Sequence, residues 1–274
     1  MDDFAHLRVA SSYSMKYGAA QPSELVTAAA NLGMSTLALT DRDGLYGAVR
    51  FTKACLRQGV QPIIGVDLAV AFSPGHRLAN LGKAPTAAKG GTSAELWRAQ
   101  QAGQEGCLSL PRVVVLARPD GGWGALCQLV SAVQFAGRRG EPIAEAEQIA
   151  QFATTGKLVV LLGPDSEFGL AVAERREDLA LSELNRWRAL VDPGQLFVAC
   201  CDHEVVEHSS IGRAVGWTPA STAQAAGMLR LADQQGLPVV LTNQVRMADP
   251  TQAELCDVLD ATRRLLPLGK RTMD

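Results

Sequence analysis

His6, Arg8 and Ala10 alternate along one short segment, Phe4-Ala5-His6-Leu7-Arg8-Val9-Ala10-Ser11-Ser12-Tyr13-Ser14. Strand side chains alternate with period two, so these three share one face while Leu7 and Val9 share the other. A histidine at a strand start can ligate a metal, although a hydrogen-bonded structural role is the commoner case. Two carboxylates stand in comparable places. Asp41 follows the run Thr36 to Thr40, and Asp67 lies near the end of Pro62 to Val70. Imidazoles and carboxylates that converge on one cavity can bind divalent cations and activate water against a phosphoester. Arginine cannot join such a set, because its guanidinium stays protonated and has no free lone pair. Arg8, on the face that carries His6, therefore opposes a bound cation.

Other residues read more plainly. Ser12, Tyr13 and Ser14 have no His and Asp arranged beside them to make a nucleophile. Gly163-Pro164-Asp165-Ser166 reads as turn chemistry rather than a phosphate-binding helix start. His76 and His208 fall in loop-like sequence and read as solvated. The pairs Arg263-Arg264 and Lys270-Arg271 read as a solvated basic face. Trp97 and Trp123 lack the basic and aromatic interleaving of a stacking platform.

The elements that must position these residues read as repeated β-α units around a parallel sheet, an α/β pattern. Pro22-Ser23-Glu24 opens a helix carrying Leu25, Val26, Ala29 and Leu32, and Gly33 closes it. A strand from Thr36 to Thr40 delivers Asp41, a helix spans Ala48 to Gln58 before Gly59, and a strand from Pro62 to Val70 carries Asp67. Residues 71–110 turn to Gly, Ala, Pro, Thr and Gln, which reads as an inserted, flexible surface loop. Alternation resumes with a strand at Val113 to Ala117 and a helix near Trp123 to Val133. Further strands are expected at Leu158 to Leu162, Leu196 to Cys201 and Val239 to Thr242. Helices are expected near Asp178 to Leu190, near Ser221 to Gln235, and from about Pro250. About seven strand signals spaced this way suggest a β/α barrel, whose sites sit at the C-terminal strand ends.

The chain has 274 residues, of which 47% are hydrophobic, enough to bury one large core. Its formal net charge of −2 supplies no global basic field, so this segment is not expected to be a main phosphate-gripping surface for nucleic acid. Six cysteines without a C-x-x-C pair fall mostly in apolar runs, which suits a reducing cytoplasm. No signal peptide opens the sequence and no apolar run approaches the ~20 residues of a membrane span.

Leu39-Thr40-Asp41-Arg42-Asp43-Gly44-Leu45-Tyr46-Gly47, then Pro62-Ile63-Ile64-Gly65-Val66-Asp67, read together with His6 to Ser14, resemble the opening motifs of the PHP domain, the polymerase and histidinol phosphatase family. The form most resembled is the domain at the N-terminus of the bacterial DNA polymerase III alpha subunit, in its error-prone branch. Val115-Leu116-Ala117 through Trp123 and Leu126, and Leu241-Thr242-Asn243-Gln244-Val245-Arg246, are similar to later family segments. The resemblance runs from Phe4 to about Leu268 and implies one PHP domain over residues 1–274, a distorted (β/α)7-type barrel interrupted by the 71–110 insertion.

The resemblance also implies a cluster of His, Asp and Glu binding up to three zinc or manganese ions. Its His-x-His pair falls on Arg8 and Ala10, its Asp-His pair on Asp41-Arg42, and its Glu on Asp67. A further histidine falls on Pro111 or Arg112, and the late Asp-x-His on Gln244-Val245-Arg246. Asp41, Asp67 and His203 then remain as vestigial ligands, with His6 a possible neighbour. No cofactor is expected, the alternative being zinc or manganese on the residual ligands. Guanidinium-carboxylate pairs among Arg8, Arg42, Arg246, Asp41 and Asp67 could replace the metals' charge; otherwise these arginines turn to solvent. The implied role is a non-catalytic PHP module of a cytoplasmic error-prone polymerase, cut from a longer chain or encoded as a truncated gene. Its expected partners are the downstream polymerase domains, replication or translesion accessory subunits, and DNA through the parent enzyme. Two alternatives are a residual metal-dependent phosphoesterase or 3′-5′ exonuclease, and a free-standing scaffold that binds a polymerase or proofreading subunit.

Overall fold

The computed structural model describes residues 4–74, 110–136, 142–153, 156–203 and 220–264. Its strands are β1 (Arg8–Val9), β2 (Thr36–Arg42), β3 (Gln61–Ala69), β4 (Arg112–Ala117), β5 (Leu158–Leu162), β6 (Leu196–Cys200), β7 (Val239–Leu241) and β8 (Gln244–Val245). The main sheet has the order β2-β3-β4-β5-β6-β7, while β1 pairs with β8 in parallel. On its other side β1 meets β2 through a His6-Leu37 bridge, with the Ala38 N–H donating to the His6 carbonyl. The first and last strands of the curled sheet are thereby joined through β1 and β8, giving a distorted barrel.

Helices α1 (Pro22–Asn31), α2 (Ala48–Gln58), α3 (Gly122–Ala136), α4 (Ala146–Ala153), α5 (Glu167–Ala173), α6 (Glu177–Leu190), α7 (Thr222–Gln234) and α8 (Ala253–Arg264) accompany the sheet. Local chemistry sets their ends. Pro22 opens α1 without wasting a donor, and Glu24 reaches back to accept the Gln21 N–H. Gly59 ends α2 with φ 72°, a left-handed conformation that costs glycine little. Ser166 and Ser221 cap α5 and α7 by accepting N–H bonds from Gly169 and Gln224. The sequence reading overlooked α4 and α5, which are short, and placed Leu32 in the apolar set of α1 although it is exposed.

One strand departs from the all-parallel expectation. β4 runs antiparallel to both β3 and β5. Ala69 at the end of β3 lies opposite Arg112 at the start of β4, so the chain reverses there instead of crossing over to the far end of the barrel. Arg112 consequently stands at the end of the barrel where β2 and β3 finish.

Strand alternation divides the core. Val113 and Val115 pack outward with Leu126, Leu129 and Ile149 of α3 and α4, while Val114 and Leu116 face inward with Leu161 and Ala199. Leu126, Leu129 and Ile149 are fully buried, each worth about 1.5–3 kcal/mol of transfer free energy. A second cluster, with Val9, Leu37, Leu39 and Phe51, fixes α1 and α2 against β2. No helix among the described residues is long and apolar enough to cross a membrane. Residues 75–109, which contain His76, Trp97 and nearly all of the expected insertion, lie outside the described residues, as do His208 and Lys270-Arg271.

Candidate functional site at the barrel mouth

Register alone gathers a set of polar side chains. Arg42 pairs with Asp67 across β2 and β3, Asp67 with Val114 across β3 and β4, and Arg8 with Gln244 across β1 and β8. Directly paired residues share a face, and Val114 faces the barrel interior. Arg8, Arg42, Asp67, Arg112 and Gln244 therefore line one cavity end. Asp41, one residue from Arg42, takes the opposite face of β2.

The charges there neutralise one another. Asp67 Oδ1 accepts from Arg112 Nε at 3.0 Å, and its Oδ2 lies 3.7 Å from Arg42 Nε. Arg112 Nη2 also donates to Asp43 Oδ1 at 3.0 Å and to the Asp67 carbonyl at 2.6 Å. Arg8, only 3% exposed, donates from Nη2 to both Asp165 oxygens at 2.7 Å. Burial pushes the Asp67 carboxyl up, but Arg112, Arg42 and Arg8 outweigh it and hold it below its ordinary value. Burial likewise opposes the charges of Arg8 and Arg112, yet their carboxylate partners leave both raised.

Arg42 differs. Burial pulls its guanidinium below the ordinary value and repulsion from Arg112 adds to that, against attraction from Asp67 and Asp165. Its Cζ sits 3.2 Å from the centroid of the Tyr17 ring. Arg246 stacks on the same ring at 4.1 Å, but its ion pair is with Asp260, at 2.6 Å, and not with Asp41 or Asp67. Arg263 shares Asp260 at 3.0 Å, which corrects its reading as a purely solvated residue. Gln244 donates to the Tyr17 hydroxyl at 2.6 Å.

Asp41 is 1% exposed and fully engaged elsewhere. Its Oδ1 accepts from the Ser11 N–H at 2.7 Å, the Ser11 hydroxyl at 2.9 Å and the Ser14 hydroxyl at 2.8 Å. Its Oδ2 accepts from Ser11 at 2.9 Å, and a Cβ on Gly47 would come within 2.6 Å of that oxygen. Burial raises its carboxyl despite these bonds. Asp41 thus fastens the loop after β1 and, among the described residues, forms no arginine pair.

Among the described residues, His203 makes no hydrogen bond to Asp41 or Asp67. Its Nε2 lies 3.2 Å from Cys201 Sγ and 3.0 Å from Asn243 Oδ1. Cys201 is 1% exposed and burial pushes its thiol up, the reverse of what a nucleophile needs. Ala10 is buried and spends its N–H on the Val245 carbonyl. His6 is half-buried with Nδ1 unpartnered, its ring edge-on to Phe4 at 5.0 Å.

These residues do not fit a divalent metal cluster. Asp41 has filled acceptors on the wrong face, Asp67 faces two arginines, and the His203 ring nitrogen is engaged with Cys201 and Asn243. No group of three or more His, Cys, Asp or Glu suited to a metal occurs among the described residues.

Asp43, Asp165 and Asp260 were not among the candidate site residues read from the sequence. Asp165 lay inside a Gly-Pro-Asp-Ser stretch that also behaves as a turn, with Ser166 capping α5. Asp43 adopts φ 57°, a left-handed conformation that aspartate tolerates better than most residues, and its place beside Arg42 in the motif was the available signal.

The PHP domain model matches residues 6–203. The chain belongs to the PHP family. Over 287 residues it is 32% identical to the error-prone DNA polymerase of Nocardia farcinica, covering 99% of this chain and 24% of that polymerase. It is 27% identical over 256 residues to the DNA polymerase III subunit alpha of Treponema pallidum, covering 93% of this chain and 19% of that subunit. The PHP domain is homologous to the N-terminal region of these polymerases, and the chain spans less than a quarter of their length. Among solved structures, an amidohydrolase from Chromobacterium violaceum, described with bound SO4 and no metal, shares the fold. That match has a TM-score of 0.54 and 14% sequence identity, covering 89% of this chain and 87% of that one.

Proposed function

We propose that this PHP domain is a non-catalytic, structural module of an error-prone DNA polymerase of the polymerase III alpha type, acting in replication and translesion repair. In this reading guanidinium-carboxylate pairs have taken over the charge balance that metal ions supply in a hydrolytic relative. The observation that carries it is Asp67, where the resemblance places a ligand, held by Arg112 at 3.0 Å and faced by Arg42 at 3.7 Å. A carboxylate so paired has little to offer a cation, and a cation brought to it would meet three positive side chains. Template-directed nucleotidyl transfer would belong to parts of the parent enzyme outside this domain, with DNA reached through them.

Metal analysis of the purified chain, joined to phosphatase and 3′-5′ exonuclease assays with and without added zinc or manganese, tests this reading. The expected result is metal well below one ion per chain and no metal-dependent hydrolysis. Stoichiometric metal accompanied by hydrolysis would overturn it.

A further inference from the structure

Three carboxylates and one guanidinium gather where α4, α5 and α6 meet. Glu183, on α6, is 5% exposed. Its Oε1 lies 3.4 Å from Arg186 Nη1, a long contact, and the Trp187 indole N–H also donates to it. Arg186 makes a closer bond elsewhere, because its Nη2 donates to both oxygens of Glu147 on α4, at 3.0 and 3.3 Å. Glu167, on α5, faces Glu183 as a second negative group. A buried carboxylate beside a like charge, with only a share in one cation, resists ionisation. Burial and then Glu167 push the Glu183 carboxyl up to about 7, against Arg186 and Trp187.

Glu167 is also a tie. It accepts from the Ser73 N–H at 2.8 Å and from the Ser73 hydroxyl at 2.5 Å, so a carboxylate of α5 holds the chain that leaves β3. The same turn holds the chain that enters β4, since the Asp165 carbonyl accepts the Arg112 N–H at 2.9 Å. Both flanks of the connection between β3 and β4 are thus fastened to residues 165–167, one through backbone and the other through a side chain. The side-chain tie is the one that charge can move. A glutamate turns readily about its χ angles, and the rotamer of Glu167 that reaches Ser73 is also the one that faces Glu183.

We propose that Glu183 and Glu167 form a pH-sensitive latch, in which ionisation of Glu183 drives the Glu167 side chain off Ser73 and frees Ser73 from α5. The charged groups that face Glu183 are Glu167 from α5, Arg186 from its own helix and, through Arg186, Glu147 from α4. One guanidinium cannot neutralise three carboxylates, so the new charge acts on Glu167. The latch is closed below neutral pH, where Glu183 is uncharged, and opens as pH rises through neutrality. None of these side chains belongs to the set that lines the mouth, so the latch stands or falls separately from the metal-free reading.

The test is NMR of the 274-residue chain between pH 5.5 and 8.5, following hydrogen exchange at the Ser73 amide and the indole N–H signal of Trp187. Exchange rates are corrected for their intrinsic pH dependence. At pH 8 ionised Glu183 outweighs the neutral form by about ten to one, so Ser73 protection should fall up to about tenfold between pH 6 and pH 8. In Glu183→Gln the protection should stay at its pH 6 level throughout, and in Glu167→Gln it should be low at both pH values. The Trp187 signal, assigned by its loss in Trp187→Phe, should titrate near neutrality in the unmutated chain, a readout that does not depend on the Glu variants folding. Ser73 protection that is flat with pH, or that falls equally in Glu183→Gln, overturns the latch. A Trp187 signal that moves only in the ordinary carboxylate range overturns it too.

Discussion

At the scale of single residues, the mouth depends on Asp67 more than on any other acid. Removing its charge leaves Arg112 and Arg42 facing each other without their shared counter-ion, and truncating a buried ion pair costs about 3–5 kcal/mol. Asp67→Ala should therefore lower the melting temperature steeply at pH 7, and a melt within a degree of the unmutated chain would contradict the pairing. Because the folded pKa of Asp67 is depressed, its contribution is present above the unfolded carboxylate value and is lost as pH falls through the folded value. Glu183 has the opposite sign. Burial, and then Glu167, push its carboxyl up to about 7 from 4.5, against Arg186. Its stabilising share is complete below the unfolded value and is lost as pH rises toward 7, so the ionised group burdens the fold at pH 8. Glu183→Gln should accordingly raise stability at pH 8 by about 2–3 kcal/mol and change little at pH 5. Equal effects of the substitution in melts at the two pH values would refute the assignment.

At the scale of elements, two glycines in similar-looking places should answer differently to alanine. A Cβ on Gly163, after β5, would meet Arg8 Nη1 at 2.7 Å and push the guanidinium from Asp165, so Gly163→Ala should destabilise. A Cβ on Gly124, in α3, meets nothing within 4 Å, and Gly124→Ala should stabilise by about 0.5–1 kcal/mol through helix propensity. Denaturant unfolding of both variants checks the pair, and a loss at Gly124 or none at Gly163 would contradict the packing described. The longer helices were legible because their signals are local: α2 ends at Gly59 as its pattern predicts, and the strand β5 spans Leu158–Leu162 as read. The direction of β4 was not legible, because an apolar run such as Val113-Val114-Val115 is the same in either sense and only its partners reveal the reversal. That reversal is what delivers Arg112 to the mouth. The face shared by Arg8, Arg42 and Asp67 could be anticipated from period two, whereas Asp165 and Asp260 could not. Asp165 reaches Arg8, and Asp260 reaches Arg246, from another element, and nothing in a turn or a helix foretells those two partners.

At the scale of the whole molecule, the barrel keeps its cavity end charged while pairing arginines there with carboxylates of the same chain. The fold explains how this is possible. Strand ends from every quarter of the sequence meet there, so an arginine carried by one can be balanced by a carboxylate from another. The central claim is that charge balance at the mouth is internal to the chain. Thermal unfolding of the chain, first stripped with chelator and then titrated with zinc or manganese, tests it most directly. The account predicts the same melting temperature in all conditions below metal concentrations that bind proteins nonspecifically. A melting temperature that falls on stripping and returns at one metal ion per chain would contradict it.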